Sequence, residues 1–142
     1  MASPQVSAGA ATQASSVPIE NHFRNNGGVG VLLSHAQDFG LSEAQIDQLE
    51  ALRPTFELTR HDVQAALLKA ETQLRAVLQN DTAAENDVMA AIDEVSRSQG
   101  ELLKMRYRNM QKARDVLTDE QRGKVKAFRR QQDLASAEQR RQ

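Results

Sequence analysis

The sequence predicts an all-α protein, a four-helix subunit built on one long antiparallel helical hairpin. Three observations predict it. Apolar residues recur at helical spacing along two long stretches, 42–79 and 82–116, separated only by Asn80-Asp81. The same short motif stands at both ends of that pair: Leu41-Ser42-Glu43-Ala44-Gln45 and Leu117-Thr118-Asp119-Glu120-Gln121. Aromatic residues are few (Phe23, Phe39, Phe56, Tyr107, Phe128, no Trp), so the core must rest on Leu, Val, Ala and Met, which suits a thin helical core.

Residues 1–28 are rich in Ala, Ser, Gln, Asn and Gly and bury too little apolar area to offset the cost of ordering them; they read as a flexible leader. Asn25-Asn26-Gly27-Gly28 marks a hinge. The helical domain is expected over 29–132. Its first helix is short, Val29 to Phe39, with Val31, Leu32, His35 and Phe39 at helical spacing and Gly40 as its stop. The second helix runs from Ser42 to about Gln79, ~57 Å at about 1.5 Å per residue. Leu49, Leu52, Phe56, Val63, Leu67, Ala70, Leu74 and Val77 or Leu78 trace one stripe on it. Pro54 removes one N–H and crowds the preceding turn; because the stripe keeps its phase across it, a kink is expected rather than a break.

After the turn at Asn80-Asp81, Thr82 and Glu85 read as a capping box for the third helix, which runs to about Val116. Its inner face is expected to carry Val88, Ile92, Val95, Gln99, Leu102 or Leu103, Arg106, Met110 and Ala113. Gly100 costs about 1 kcal/mol against Ala in a helix interior, and either permits close helix approach or softens the helix. A fourth helix starts at Thr118 with Val125 and Phe128 inward; residues 133–142 are polar and are expected to fray.

Ser42 with Gln45 and Thr118 with Gln121 have capping-box spacing: the hydroxyl accepts from a first-turn N–H, and Gln reaches back to the cap's own N–H. The likeness continues past the caps, with Leu49 aligning on Val125, Leu52 on Phe128 and Arg53 on Arg129. A two-helix hairpin buries one seam only. Much of the long stripe lacks a partner within one chain, and a second copy in a two-fold homodimer is the simplest cover.

The doubled L-[ST]-x-x-Q motif flanking a long helix pair resembles the Spy/CpxP/ZraP/CnrX group, the LTxxQ and heavy-metal-resistance proteins of the bacterial periplasm. The resemblance covers roughly Leu32 to Gln131. It implies a hook-shaped homodimer acting outside the cytoplasmic membrane, either as an ATP-independent binder of unfolded or envelope proteins or as a metal sensor that modulates a membrane-bound regulator. Residues 2–18 look like the small-residue start of a mature exported chain, with Met1 standing where a signal or anchor was removed; a periplasmic location is therefore expected. No stretch reaches the ~20 apolar residues of a membrane span.

Net charge is −1, but it is unevenly placed: residues 1–96 hold five Lys/Arg against thirteen Asp/Glu, and residues 97–142 hold thirteen against six. The basic residues are spread round their helices and the acidic ones can neutralise them, so charge pairing within or between subunits is expected and a nucleic-acid partner is not. Nothing points to catalysis. There is no Cys, the three His are scattered, and Gly27-Gly28-Val29-Gly30 lacks the flanking strand and Lys-Ser/Thr of a phosphate loop.

The resemblance also implies a metal alternative, with zinc, nickel, cobalt or copper as ligand; no cofactor follows from the residues alone. Metal-sensing relatives use two His one turn apart on the first helix, a Glu on the second, and a His and a Met one turn apart on the third. Here the first helix has His35 only, with Val31 and Phe39 a turn away; the second offers Glu50 or Glu57; the third has Met105 and Met110, with Asn109 and Ala113 where the His and Met would fall. A degraded set of His35, Glu50 and Met110 is the candidate. His61 beside Asp62 reads as solvated, and His22 lies in the leader. The candidate client surface is the mixed basic and apolar run on the third helix: Leu102, Met105, Arg106, Tyr107, Arg108, Met110 and Lys112. Arg and Met adapt to varied partners, and charge can draw a chain in before apolar contact holds it.

Overall fold

A computed structural model describes residues 28–141. It contains α1 (Val29–Ser34), α2 (Ala36–Phe39), α3 (Glu43–Gln79), α4 (Glu85–Asp115) and α5 (Asp119–Arg141), with no strand among the described residues. The hairpin of α3 and α4 forms as the sequence predicts. The leader up to residue 27, His22 included, lies outside the described residues.

The single first helix expected over Val29 to Phe39 is two pieces. His35 leaves helical geometry at φ −115°, ψ 28°, which turns its ring onto Phe128 of α5, with centroids 4.5 Å apart. Gly40 then ends α2 in the left-handed region, φ 67°. Leu41 N–H donates to the Ala36 carbonyl (2.9 Å) and Gly40 N–H to the Gln37 carbonyl (3.1 Å), a Schellman closure. A side chain at position 40 would pay the steric cost that glycine avoids.

All eight leading stripe positions of α3, from Leu49 to Val77, are buried or half-buried, and the helix is continuous through Pro54. The third capping box is absent. Asn80 takes Thr82: its Oδ1 accepts from the Thr82 N–H (3.1 Å) and hydroxyl (2.9 Å), so Thr82 closes an Asx turn. The residue before α4 is Ala84, with no side-chain cap. On α4 six of the eight expected inner levels hold, at Val88, Val95, Leu102, Arg106, Met110 and Ala113, and two do not. Ser98 is buried where Gln99 was expected, and Ile92 is 40% exposed. Small Ala91 and Ser98 fit between the helices, which a hydropathy ranking that favours Ile92 does not reveal. Gly100 does not serve close approach: a Cβ there would meet nothing within 4 Å. Finally, residues beyond Asp133 continue α5 to Arg141, because Ala, Glu, Gln and Arg favour helix even where no core holds them.

The core sits at the open end of the hairpin. Leu32, Phe39, Leu49, Ala113, Leu117 and Val125 are buried together, with Leu52, Phe56 and Phe128 packed against them. Phe39 and Phe128 meet edge to face at 5.6 Å. Towards the turn the packing thins: Val63, Leu67, Leu74 and Val77 are only half-buried, while Leu68 and Leu78 are exposed.

Candidate functional site

The two L-[ST]-x-x-Q motifs meet. Each makes its capping box: Ser42 N–H donates to Gln45 Oε1 (2.9 Å) and Gln45 N–H to Ser42 Oγ (3.2 Å); Thr118 N–H donates to Gln121 Oε1 (2.9 Å) and Gln121 N–H to Thr118 Oγ1 (3.2 Å). The two glutamine amides then bond to each other. Gln45 Nε2 donates to Gln121 Oε1 (2.7 Å) and Gln121 Nε2 to Gln45 Oε1 (2.9 Å). Each amide's remaining N–H goes to a carbonyl two residues before the other motif's cap: Gln45 to Val116 (3.0 Å), Gln121 to Gly40 (2.9 Å). Both amides are thereby saturated in donors and acceptors. The result is a pseudo-two-fold clasp that ties the start of α3 to the start of α5. Leu41 and Leu117 flank it in the core, half-buried and buried. Spacing alone gives the caps; the mutual amide pair needs the spatial closure, and its only trace in the sequence is the equal offset of Gln in both copies.

Beside the core lies an open groove of about 300 Å³, between the start of α1 and the facing surfaces of α3 and α4. Val29, Phe56, Met105 and Met110 give it apolar walls; Glu57, Arg60, Arg106 and Asn109 give it polar ones. Phe56, Arg60 and Asn109 were not among the sequence candidates. They could have been found from antiparallel register, since the clasp at one end and the turn at the other fix which levels of α3 and α4 face each other.

The client candidates do not share one face. Leu102 and Met105 are buried in the seam, Arg106 and Met110 lie at its half-buried edge, and Tyr107, Arg108 and Lys112 are exposed. Tyr107 accepts a hydrogen bond from Gln111 Nε2 (2.7 Å). Of the seven, Met105, Arg106 and Met110 line the groove.

The metal candidates have separate surroundings. His35 Nδ1 lies 3.1 Å from Asp38 Oδ2 and its ring packs against Phe128 at a tilt of 48°. Glu50 pairs with Arg53 at 3.6 Å. Met110 shares the groove with Glu57 and Asn109. Those donors fit a transition metal poorly: one carboxylate and one thioether, with the Arg60 and Arg106 guanidinium groups lining the same groove, oppose rather than attract a divalent cation. No cluster of three or more His, Cys, Asp or Glu able to hold a metal occurs among the described residues. No helix among them is long and apolar enough to cross a membrane.

A family model described as heavy-metal resistance matches residues 7–124 of the chain. No curated protein and no solved structure matches it.

Proposed function

Because the chain belongs to the heavy-metal-resistance family, we propose that it is a non-enzymatic periplasmic stress protein, a homodimer that binds unfolded or envelope proteins without ATP. The observation that carries this reading is the open groove in which Phe56, Met105 and Met110 lie beside Arg60 and Arg106. Thioether and aromatic walls accept varied apolar side chains, and the guanidinium groups attract acidic segments first. Half-buried Val63, Leu67 and Leu74 extend the same apolar character along the hairpin.

The test is the rate of light-scattering growth of a denatured test protein, with and without this chain. Wild type should suppress it. Arg60→Glu with Arg106→Glu should slow capture, and Met110→Ala should speed release. No suppression by wild type removes the reading; suppression unchanged in both variants moves it to another surface.

A second reading follows from the family's description: a metal-responsive protein that modulates a membrane-bound regulator. It requires zinc, nickel, cobalt or copper to bind at His35, Glu50 or Met110. Calorimetric titration with each metal decides it, with heat that disappears in His35→Ala or Met110→Ala as the supporting result and no heat from any metal as the opposing one.

A further inference from the structure

The chain has no cysteine, so its methionine thioethers are the side chains that a mild two-electron oxidant attacks first. Met89, Met105 and Met110 lie among the described residues and differ in access. Met105 is 5% exposed in the helix seam, and Met89 is 51% exposed near the turn. Met110 is half-buried on the wall of the open groove that it shares with Phe56 and Met105. Of the three, Met110 combines access to solvent with a place in the groove.

The same groove supplies what the oxidation product needs. A sulfoxide replaces a flexible apolar group with a polar one whose oxygen accepts hydrogen bonds. In a closed core that oxygen would be stranded, at the cost of an unmade hydrogen bond. Beside Met110 the lining carries the amide N–H groups of Gln64 and Asn109 and the guanidinium of Arg60. Arg60 and Gln64 are exposed, so they can turn towards a new acceptor. Glu57 is the one carboxylate of the lining, so little competes with a sulfoxide for these donors.

We propose that Met110 is an oxidative modification site that turns the groove from apolar to polar, with a peroxide as the oxidant. The thioether sulfur attacks one peroxide oxygen and the O–O bond breaks. Sulfur gives up two electrons and gains that oxygen; the other oxygen leaves as hydroxide, takes the displaced proton and becomes water. The sulfoxide oxygen then accepts from Arg60, Gln64 or Asn109, and the groove loses its hold on apolar side chains. A pair of methionine sulfoxide reductases, one for each epimer, reverses the change. The consequence for clients rests on the client-binding reading above; the modification and the change in the groove do not.

The experiment treats the full chain with dilute hydrogen peroxide and locates the added oxygen by mass mapping of its fragments. Two variants accompany wild type: Met110→Leu, and Met89→Leu with Met105→Leu. Both conserve volume and apolar character. Binding is read twice, as the fluorescence of anilinonaphthalene sulfonate, a dye that lights up on apolar surface, and as the rate at which a denatured test protein is released. Met110 should gain oxygen before Met105. Wild type and the double variant should then lose dye fluorescence and release the test protein about tenfold faster, the order expected when an apolar side chain of this size loses its contacts. The reductases should restore both signals, and Met110→Leu should keep both through the same treatment. Helical circular dichroism should not change; its loss would assign the effect to unfolding and overturn the proposal. Met110 remaining reduced while Met105 is oxidised, or Met110→Leu proving as sensitive as wild type, also overturns it. If reduced wild type holds no test protein, the client reading falls and the dye decides the site. Fluorescence lost on oxidation only where Met110 is present supports the proposal, and fluorescence indifferent to Met110 oxidation overturns it.

Discussion

The open end and the turn end of the hairpin belong to the same two helices, yet they are held in different ways. At the open end Leu32 and Leu49 are wholly buried, Phe39 nearly so, and the Gln45–Gln121 clasp locks α3 to α5. Towards the turn the fully buried residues are small, Ala70 and Ser98, and Leu78 and Met89 are exposed. The contacts that hold the fold are thus concentrated at the open end, beside the groove of Phe56, Met105 and Met110, whereas the exposed apolar residues Leu78, Met89 and Ile92 at the other end contribute little to holding one chain together.

The sharpest way to break this contrast is to truncate one leucine at each end. Leu49→Ala should cost about 2–5 kcal/mol, because it opens a cavity in a filled core. Leu78→Ala, at 59% exposure, should stay within about 0.5 kcal/mol in the monomer. Urea unfolding of both at low protein concentration checks it. Equal losses would mean that the turn end is packed as firmly as the open one.

Next in size is the clasp. Gln121→Ala leaves the Gly40 carbonyl, the Thr118 N–H and both polar groups of Gln45 short of partners in a part-buried setting, and should cost about 2 kcal/mol. If the two glutamines act as one unit, the double variant with Gln45→Ala should cost clearly less than the two single losses added together. Additive losses would show two independent caps that merely lie close.

Smaller still are the hydroxyls. Ser42→Ala and Thr118→Ala should each lower stability by about 1 kcal/mol. Thr82→Ala, at the turn end, should fall near or below about 0.5 kcal/mol, since its hydroxyl only meets exposed Asn80. Urea midpoints of the three variants rank them. A Thr82 effect as large as the other two would restore the third capping box.

What could be read from the sequence divides along the same line. The α3 stripe was legible because eight apolar residues keep one phase, and the caps at Ser42 and Thr118 because their partner lies three residues away. Thr82 misled because Asn80 competes for it, a local alternative that spacing does not rank. Ser98 and Gln99 exchanged places because the helix seam selects size where hydropathy sees two polar residues. The expected client face mixed seam and surface for a related reason: Leu102 and Met105 hold the hairpin, so only Arg106 and Met110 of that run combine groove position with partial exposure. The amide clasp and the groove both depend on residues more than forty positions apart, which periodicity along the chain cannot join.

The smallest expected effect sharpens the contrast from the charged side. At the edge of the acidic turn region Arg97 Nε donates to Glu94 Oε2 at 3.2 Å. The Arg97 hydrogen bond, with its positive charge, holds the Glu94 carboxyl below the usual carboxylate range, and Glu94 in turn raises Arg97. A carboxyl whose folded pKa is lowered favours the folded state above its unfolded pKa; that contribution fades as pH falls through the folded value. The pair is fully exposed and therefore screened, so its share of stability is small at any pH. Glu94→Gln should shift the urea midpoint slightly at pH 7 and low salt. The shift should vanish below the folded pKa of Glu94, and also at pH 7 in 1 M salt, where the Debye length is about 3 Å. Comparing wild type and variant under these three conditions is the check. A shift that persists in acid or in salt would mean that Glu94 acts by packing or helix propensity, and that charge near the turn does more for the single chain than the present contrast allows.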